Sequence, residues 1–140
     1  LAADTNNAGL SVRRFDDSTE EGVGFDSFVP TGATTIVLDI IARPEVAATV
    51  IGDDDIQMRL YGRSIPDNTT MGTWTGVNLA SIDIDLNTED WVYRTLTASV
   101  TGIGLTGGEH AQFELTRDGG AGGDDLVGDW DLLNLRLSFT

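Results

Sequence analysis

The richest run of potential ligand groups in this chain is Gly119-Gly120-Ala121-Gly122-Gly123-Asp124-Asp125-Leu126-Val127. It fits the nonapeptide of calcium-binding β-rolls, where carbonyls of glycine turns and an aspartate close around a hard cation. A β-roll builds each site between stacked copies, and the residues from Gly128 onward do not repeat the pattern. The run therefore reads as a hairpin loop, with Asp125 and Asp129 in turn positions and Asp124 and Asp125 as the candidate ligands of an isolated calcium site. Asp53, Asp54 and Asp55 are a second oxygen cluster. Adjacent carboxylates on an extended chain point apart, so this run reads as a solvated turn. Glu20 with Glu21, or Asp83 with Asp85, are the pairs to weigh for acid/base hydrolysis, which needs two carboxyl groups at a set separation across a cleft. Asp83 and Asp85 share one strand face, the wet one, and nothing marks either pair as an acid and a base. His110 is the single histidine and follows a Gly-Gly-Glu turn, which reads as an exposed loop position. There is no phosphate-binding loop, nucleophile elbow or dinucleotide fingerprint. No catalytic residue is assigned, no cofactor is expected, and the chain reads as a non-enzyme.

Aromatic and arginine side chains offer recognition instead. Trp74, Trp91 and Trp130, with Tyr61 and Tyr93, supply stacking surfaces for sugar rings or anchors for a protein interface. Trp91 and Tyr93 share a strand face, and the aromatics near strand ends read mostly as core or rim packing. Trp74, in a long polar connection, and His110 are the candidates for a glycan site. All eight basic residues are arginine. Arginine forms planar, bidentate bonds to carboxylates and suits interfaces better than lysine. A GC-rich genome would produce the same bias.

These groups must be held by short segments of period-two alternation, broken by Gly, Pro, Asn and Asp, the pattern of a sandwich or barrel. The expected strands are Ser11 to Phe15, Val23 to Val29, Thr35 to Ala42, Ile56 to Arg63, Val77 to Leu86, Trp91 to Val100, Ala111 to Arg117 and Trp130 to Phe139. Thr35 to Ala42 is apolar enough for a central strand covered on both faces. In the last strand Leu133, Leu135, Leu137 and Phe139 form the inward set. Val46 to Ile51 is the one stretch that tempts a helical reading, weakened by its β-branched residues. The expected fold class is all-β, with about eight antiparallel strands in a two-sheet jelly-roll-like sandwich. Residues 1–10 read as an extended N-terminal arm and residues 11–140 as one β-sandwich domain.

The 140 residues carry 23 acids against 8 bases, a formal net charge of −15. A partner rich in phosphate needs a basic face, so nucleic acid is excluded as a partner, and docking on an anionic membrane surface with it. No apolar run approaches the ~18 residues of a membrane-spanning helix. With no cysteine there is no disulfide or thiolate chemistry.

Two stretches resemble small β-sandwich virion structural proteins of tailed bacteriophages. One is Val12-Arg13-Arg14-Phe15-Asp16-Asp17-Ser18-Thr19-Glu20-Glu21-Gly22-Val23-Gly24-Phe25 with Val29-Pro30-Thr31-Gly32-Ala33. The other is Gln112-Phe113-Glu114-Leu115-Thr116-Arg117, a Gly/Asp loop, Asp125-Leu126-Val127-Gly128-Asp129-Trp130 and a terminal apolar strand. The resemblance implies a capsid-surface decoration, or cement, protein on the virion surface. Its partners would be the major capsid protein or other virion proteins, and it would act as a homotrimer. Arg13, Arg14 and Phe15 are the expected contact residues, so removing residues 1–15 is expected to abolish capsid binding and leave the sandwich folded. The alternative is a receptor- or glycan-binding domain of a tail or head fibre, using Trp74, His110 and the loop at 119–123.

Overall fold

The structure is a computed structural model that describes residues 2–3, 11–16, 18–44, 55–67, 70–79, 82–83, 94–101, 103–124 and 128–140. The elements are β1 (Ala2–Ala3), β2 (Ser11–Phe15), β3 (Glu20–Phe28), β4 (Ile36–Pro44), β5 (Asp55–Ile56), β6 (Met58–Ile65), β7 (Thr75–Asn78), β8 (Ile82–Asp83), β9 (Arg94–Val100), β10 (His110–Asp118) and β11 (Trp130–Phe139). None of the described residues is helical, so among them no helix is long and apolar enough to cross a membrane.

Two antiparallel sheets form the molecule. One has the order β1-β2-β11-β4-β9, the other β3-β10-β6-β7, and β5 pairs separately with β8. Setting aside the two-residue strands, the chain order of the remaining strands is first-eighth-third-sixth in one sheet and second-seventh-fourth-fifth in the other. Every connection except the β6–β7 hairpin crosses between sheets. That is jelly-roll topology, as the alternation predicts.

Apolar side chains one residue apart along each strand fill the space between the sheets. Ile36, Leu38, Ile40 and Ala42 of β4 face Met58 and Leu60 of β6 and Ala111, Phe113 and Leu115 of β10 across one core. Phe113 stacks on Phe25 of β3 at 5.3 Å between ring centroids and meets Phe139 of the opposite sheet at 6.4 Å. Gly62 sits under this cluster because a Cβ there would lie 2.5 Å from the Ile103 side chain.

Three expectations are corrected. β4 is central but buried on one face only, since Val37, Asp39 and Ile41 are half-buried on the other. The stretch from Val77 to Leu86 is not one strand. β7 ends at Asn78, Leu79 turns into the core with its N–H donating to the Met58 carbonyl at 2.9 Å, and β8 pairs with β5. In β11 the register against β4 shifts between Leu132 and Asn134. The extra residue, Leu133, is the one expected to lead the inward set. The bulge changes phase, so Trp130 and Leu132 face the core before it, and Leu135, Leu137 and Phe139 after it. Within the expected arm, Ala2–Ala3 pairs with Ser11 and Val12 on the edge of the first sheet. Val46 to Ile51, Trp91, Tyr93, Asp53, Asp54, Asp85 and Asp125 lie outside the described residues.

Candidate functional site

The outer face of the β3-β10-β6-β7 sheet carries a different kind of side chain from its core face. Alternation dictates this: β6 buries Met58, Leu60 and Gly62 and turns Arg59, Tyr61, Arg63 and Ile65 outward. The register sets these beside outward residues of the neighbouring strands. Tyr61 lies opposite Glu114 on β10 and Gly76 on β7, Arg59 opposite Thr116, and Arg63 opposite Gln112. On the far side of β10, Gly22 faces Thr116, Gly24 faces Glu114, and Phe28 faces His110.

A groove of about 370 Å³ opens on this face, lined by Glu20, Gly22, Tyr61, Trp74, Glu114 and Thr116. Its floor is low because glycine occupies the positions where side chains would fill it. A Cβ on Gly76 would stand 2.5 Å from the Tyr61 ring, and one on Gly22 would stand 2.8 Å from a Glu114 carboxylate oxygen. The rings are held by arginines. The Arg59 guanidinium lies 4.8 Å from the Tyr61 ring centroid and that of Arg63 lies 4.6 Å from Trp74. Arg63 also donates to the Gln112 side-chain oxygen from Nε at 2.8 Å, so the ring it supports is fixed to the sheet. Trp74 keeps 40% of its surface exposed.

Polar groups line the groove beside the Tyr61 ring. The Tyr61 hydroxyl and the Thr116 hydroxyl each donate to Glu20 Oε1 at 3.2 Å. Burial first, and the Glu20 carboxylate second, push the Tyr61 phenol above the ordinary tyrosine value. The phenol therefore stays a neutral donor throughout the neutral range. Stability tied to this shift is complete below pH ~10 and is lost as pH rises through the raised value.

The structure separates residues that the sequence grouped. Trp74 lines the groove, whereas His110 lines a second depression with Phe28, Ile65, Pro66, Asp67, Gly108 and Glu109. His110 opens β10, and the glycine loop leaves the other end of that strand. Glu20 and Glu21 point to opposite faces, Glu21 accepting from the Asp16 N–H at 3.0 Å. Neither forms the paired carboxylates of a hydrolase with the other. Tyr61 was visible as an outward residue of an alternating strand, but nothing in the sequence joined it to Trp74, Glu20 or Glu114.

The calcium candidate is corrected. Successive turns, Ala121 N–H to the Asp118 carbonyl and Asp124 N–H to the Ala121 carbonyl, fold the glycine loop back onto β10. Asp124 then grips the fully buried Arg117 bidentately, at 2.9 Å to Nε and 2.7 Å to Nη2, and accepts the Gln57 N–H at 3.1 Å. Its oxygens are occupied by donors. Among the described residues no group of three acidic or histidine side chains could hold a metal ion.

Of the contact residues expected at 13–15, Phe15 is corrected and the two arginines are bonded within the fold. Phe15 is fully buried against Trp130, ring centroids 6.4 Å apart. Arg14 donates from Nε to the fully buried Asp131 at 2.8 Å and from Nη2 at 3.3 Å. Arg13 is part-buried and donates to the Gly22 carbonyl at 3.3 Å. Two charges beside an aromatic are here a strand end built into the sandwich.

No protein-family model matches the chain, and no curated protein matches it. Among solved structures, the C-terminal domain of EclA, described as a sugar-binding protein, is similar at a TM-score of 0.40 and 9% identity. The similarity covers 94% of this chain and 80% of that chain.

Proposed function

We propose that the chain is a carbohydrate-binding domain and that the groove around Tyr61 and Trp74 is its glycan site. The observation that carries this reading is two ring side chains, stiffened by arginine, beside a floor of glycine and a polar row of Glu20, Glu114 and Thr116. Sugar rings present apolar C–H faces and hydroxyl edges, so they need an aromatic platform with fixed donors and acceptors next to it. Charge selects further. The net charge of −15 repels acidic glycans, and within the site Arg59 and Arg63 balance Glu20 and Glu114, which suits a neutral ligand.

The reading is binding without hydrolysis. The groove is open to water and Glu20 is exposed, whereas a glycosidase acid needs a desolvated carboxyl. The resemblance to phage virion proteins would put such a module on a particle surface, where many weak sites act together. Of the residues expected at a capsid contact, Phe15 is buried and Arg14 is paired with Asp131 within the fold.

An array of neutral and acidic glycans tests the proposal. The intact chain is expected to bind neutral members, and Trp74→Ala and Tyr61→Ala to lose that signal while melting close to the parent temperature. Retained binding in both variants would sink the groove as the site.

A further inference from the structure

The glycan face does not end at the groove. Beyond Tyr61 the outward residues of the same sheet continue in register. Asp26, Gln112 and Arg63 form a polar row, and Phe28, His110 and Ile65 form the next one. Phe28 is 50% exposed although it is a phenylalanine on a sheet face, and its ring meets His110 edge-on at 5.5 Å between centroids. Together with Pro66, Asp67 and Glu109 these residues line a depression of about 610 Å³. An aromatic station, a polar row and a second aromatic station thus follow one another along β10. From Glu114 to His110 the strand advances by four residues, roughly 13 Å at the usual rise. That exceeds what one sugar ring spans.

We infer that the ligand is an extended neutral oligosaccharide lying along β10, with a distal subsite at Phe28 and His110. The inference rests on the glycan reading of the groove and adds the ligand's length and direction to it. The first ring packs on Tyr61 and Trp74. The hydroxyls of the intervening unit meet Asp26, Gln112 and Arg63. A further ring covers the exposed ring of Phe28. A ligand that only capped a chain end would leave this second station empty.

The test is calorimetric titration of the full chain with β-1,4-linked glucose, mannose and xylose oligomers and α-1,4-linked glucose oligomers, each from two to six units. Affinity for the preferred series is expected to climb beyond the disaccharide. Phe28→Ala is expected to cut the affinity for the longest member by roughly fivefold, a typical return for one aromatic contact, and so to flatten the series. Affinity that is level from two units onward overturns the inference and leaves the groove reading standing. So does an equal loss for short and long members in Phe28→Ala. Absence of binding to every oligomer, together with a silent array, removes both.

Discussion

Arg117 and Asp124 show how a single side chain can look like chemistry and serve the fold. Arg117 is fully buried at the end of β10, and Asp124 returns to it from the glycine loop. Its Nη1 also donates to the Gly128 carbonyl at 2.8 Å, which ties both ends of the loop to one guanidinium. Five donors in a rigid fork make arginine able to do this where lysine would not. The same economy runs through the chain. Arg14 holds Asp131, Arg136 holds Asp39, and Arg59 and Arg63 hold rings. The arginine bias therefore acts inside the molecule before it acts on any partner. Arg117→Ala would strand a buried carboxylate, so a loss of about 3–5 kcal/mol in urea denaturation is expected. Arg117→Met with Asp124→Leu, which removes both charges, is expected to recover most of it.

The strands of the β3-β10-β6-β7 sheet divide their labour by parity. One parity makes the core and the other makes the outer face that carries the proposed glycan groove, so a substitution on either can be assigned a consequence from its position alone. Gly76 belongs to the outer parity of β7 and lies opposite Tyr61. Gly76→Val would push a side chain into the Tyr61 ring and the Arg59 guanidinium beside it. Glycan affinity is expected to fall as far as in Tyr61→Ala, while the melting temperature moves little, because the ring is displaced on the solvent side. Gly24, also outward, has only the Phe113 carbonyl 3.8 Å from its Cβ position and would accept alanine. The two glycines separate a steric role from mere tolerance. The bulge in β11 follows the same logic. Adjacent leucines at 132 and 133 break strict alternation, and the strand keeps its apolar residues inward on both sides only by inserting one of them.

The jelly roll as a whole depends on its N-terminal strand. β2 pairs with β11 through Arg13, Arg14 and Phe15, and Phe15 with Trp130 closes that end of the core. Truncating one buried phenylalanine costs about 3–5 kcal/mol. Removing the strand as well takes away its ladder and the Arg14–Asp131 pair, against a total stability of roughly 5–15 kcal/mol for a domain. Deletion of residues 1–15 is therefore expected to abolish cooperative thermal unfolding and near-ultraviolet circular dichroism. This outcome is the opposite of the expectation that removing residues 1–15 leaves the sandwich folded.

The all-β class, the place of most strands and the alternation of β6 and β10 were legible in the sequence, whereas the one-sided burial of β4 was not. The legible features follow from period-two alternation and from turn residues, both of which are local properties of the chain. What no local pattern contained was the pairing register. Glu20, Tyr61, Trp74 and Glu114 come from three strands and a connection, and only the order β3-β10-β6-β7 brings them to one groove. Asp124 read as a calcium ligand because the sequence could not show that Arg117 lay within 2.7 Å of it. Phe15 read as a contact because nothing local said that Trp130 would cover it. Alternation tells each residue which face it takes. Which residues share that face is decided by non-local hydrogen-bonded pairing, whose energy is realised only when distant strands meet.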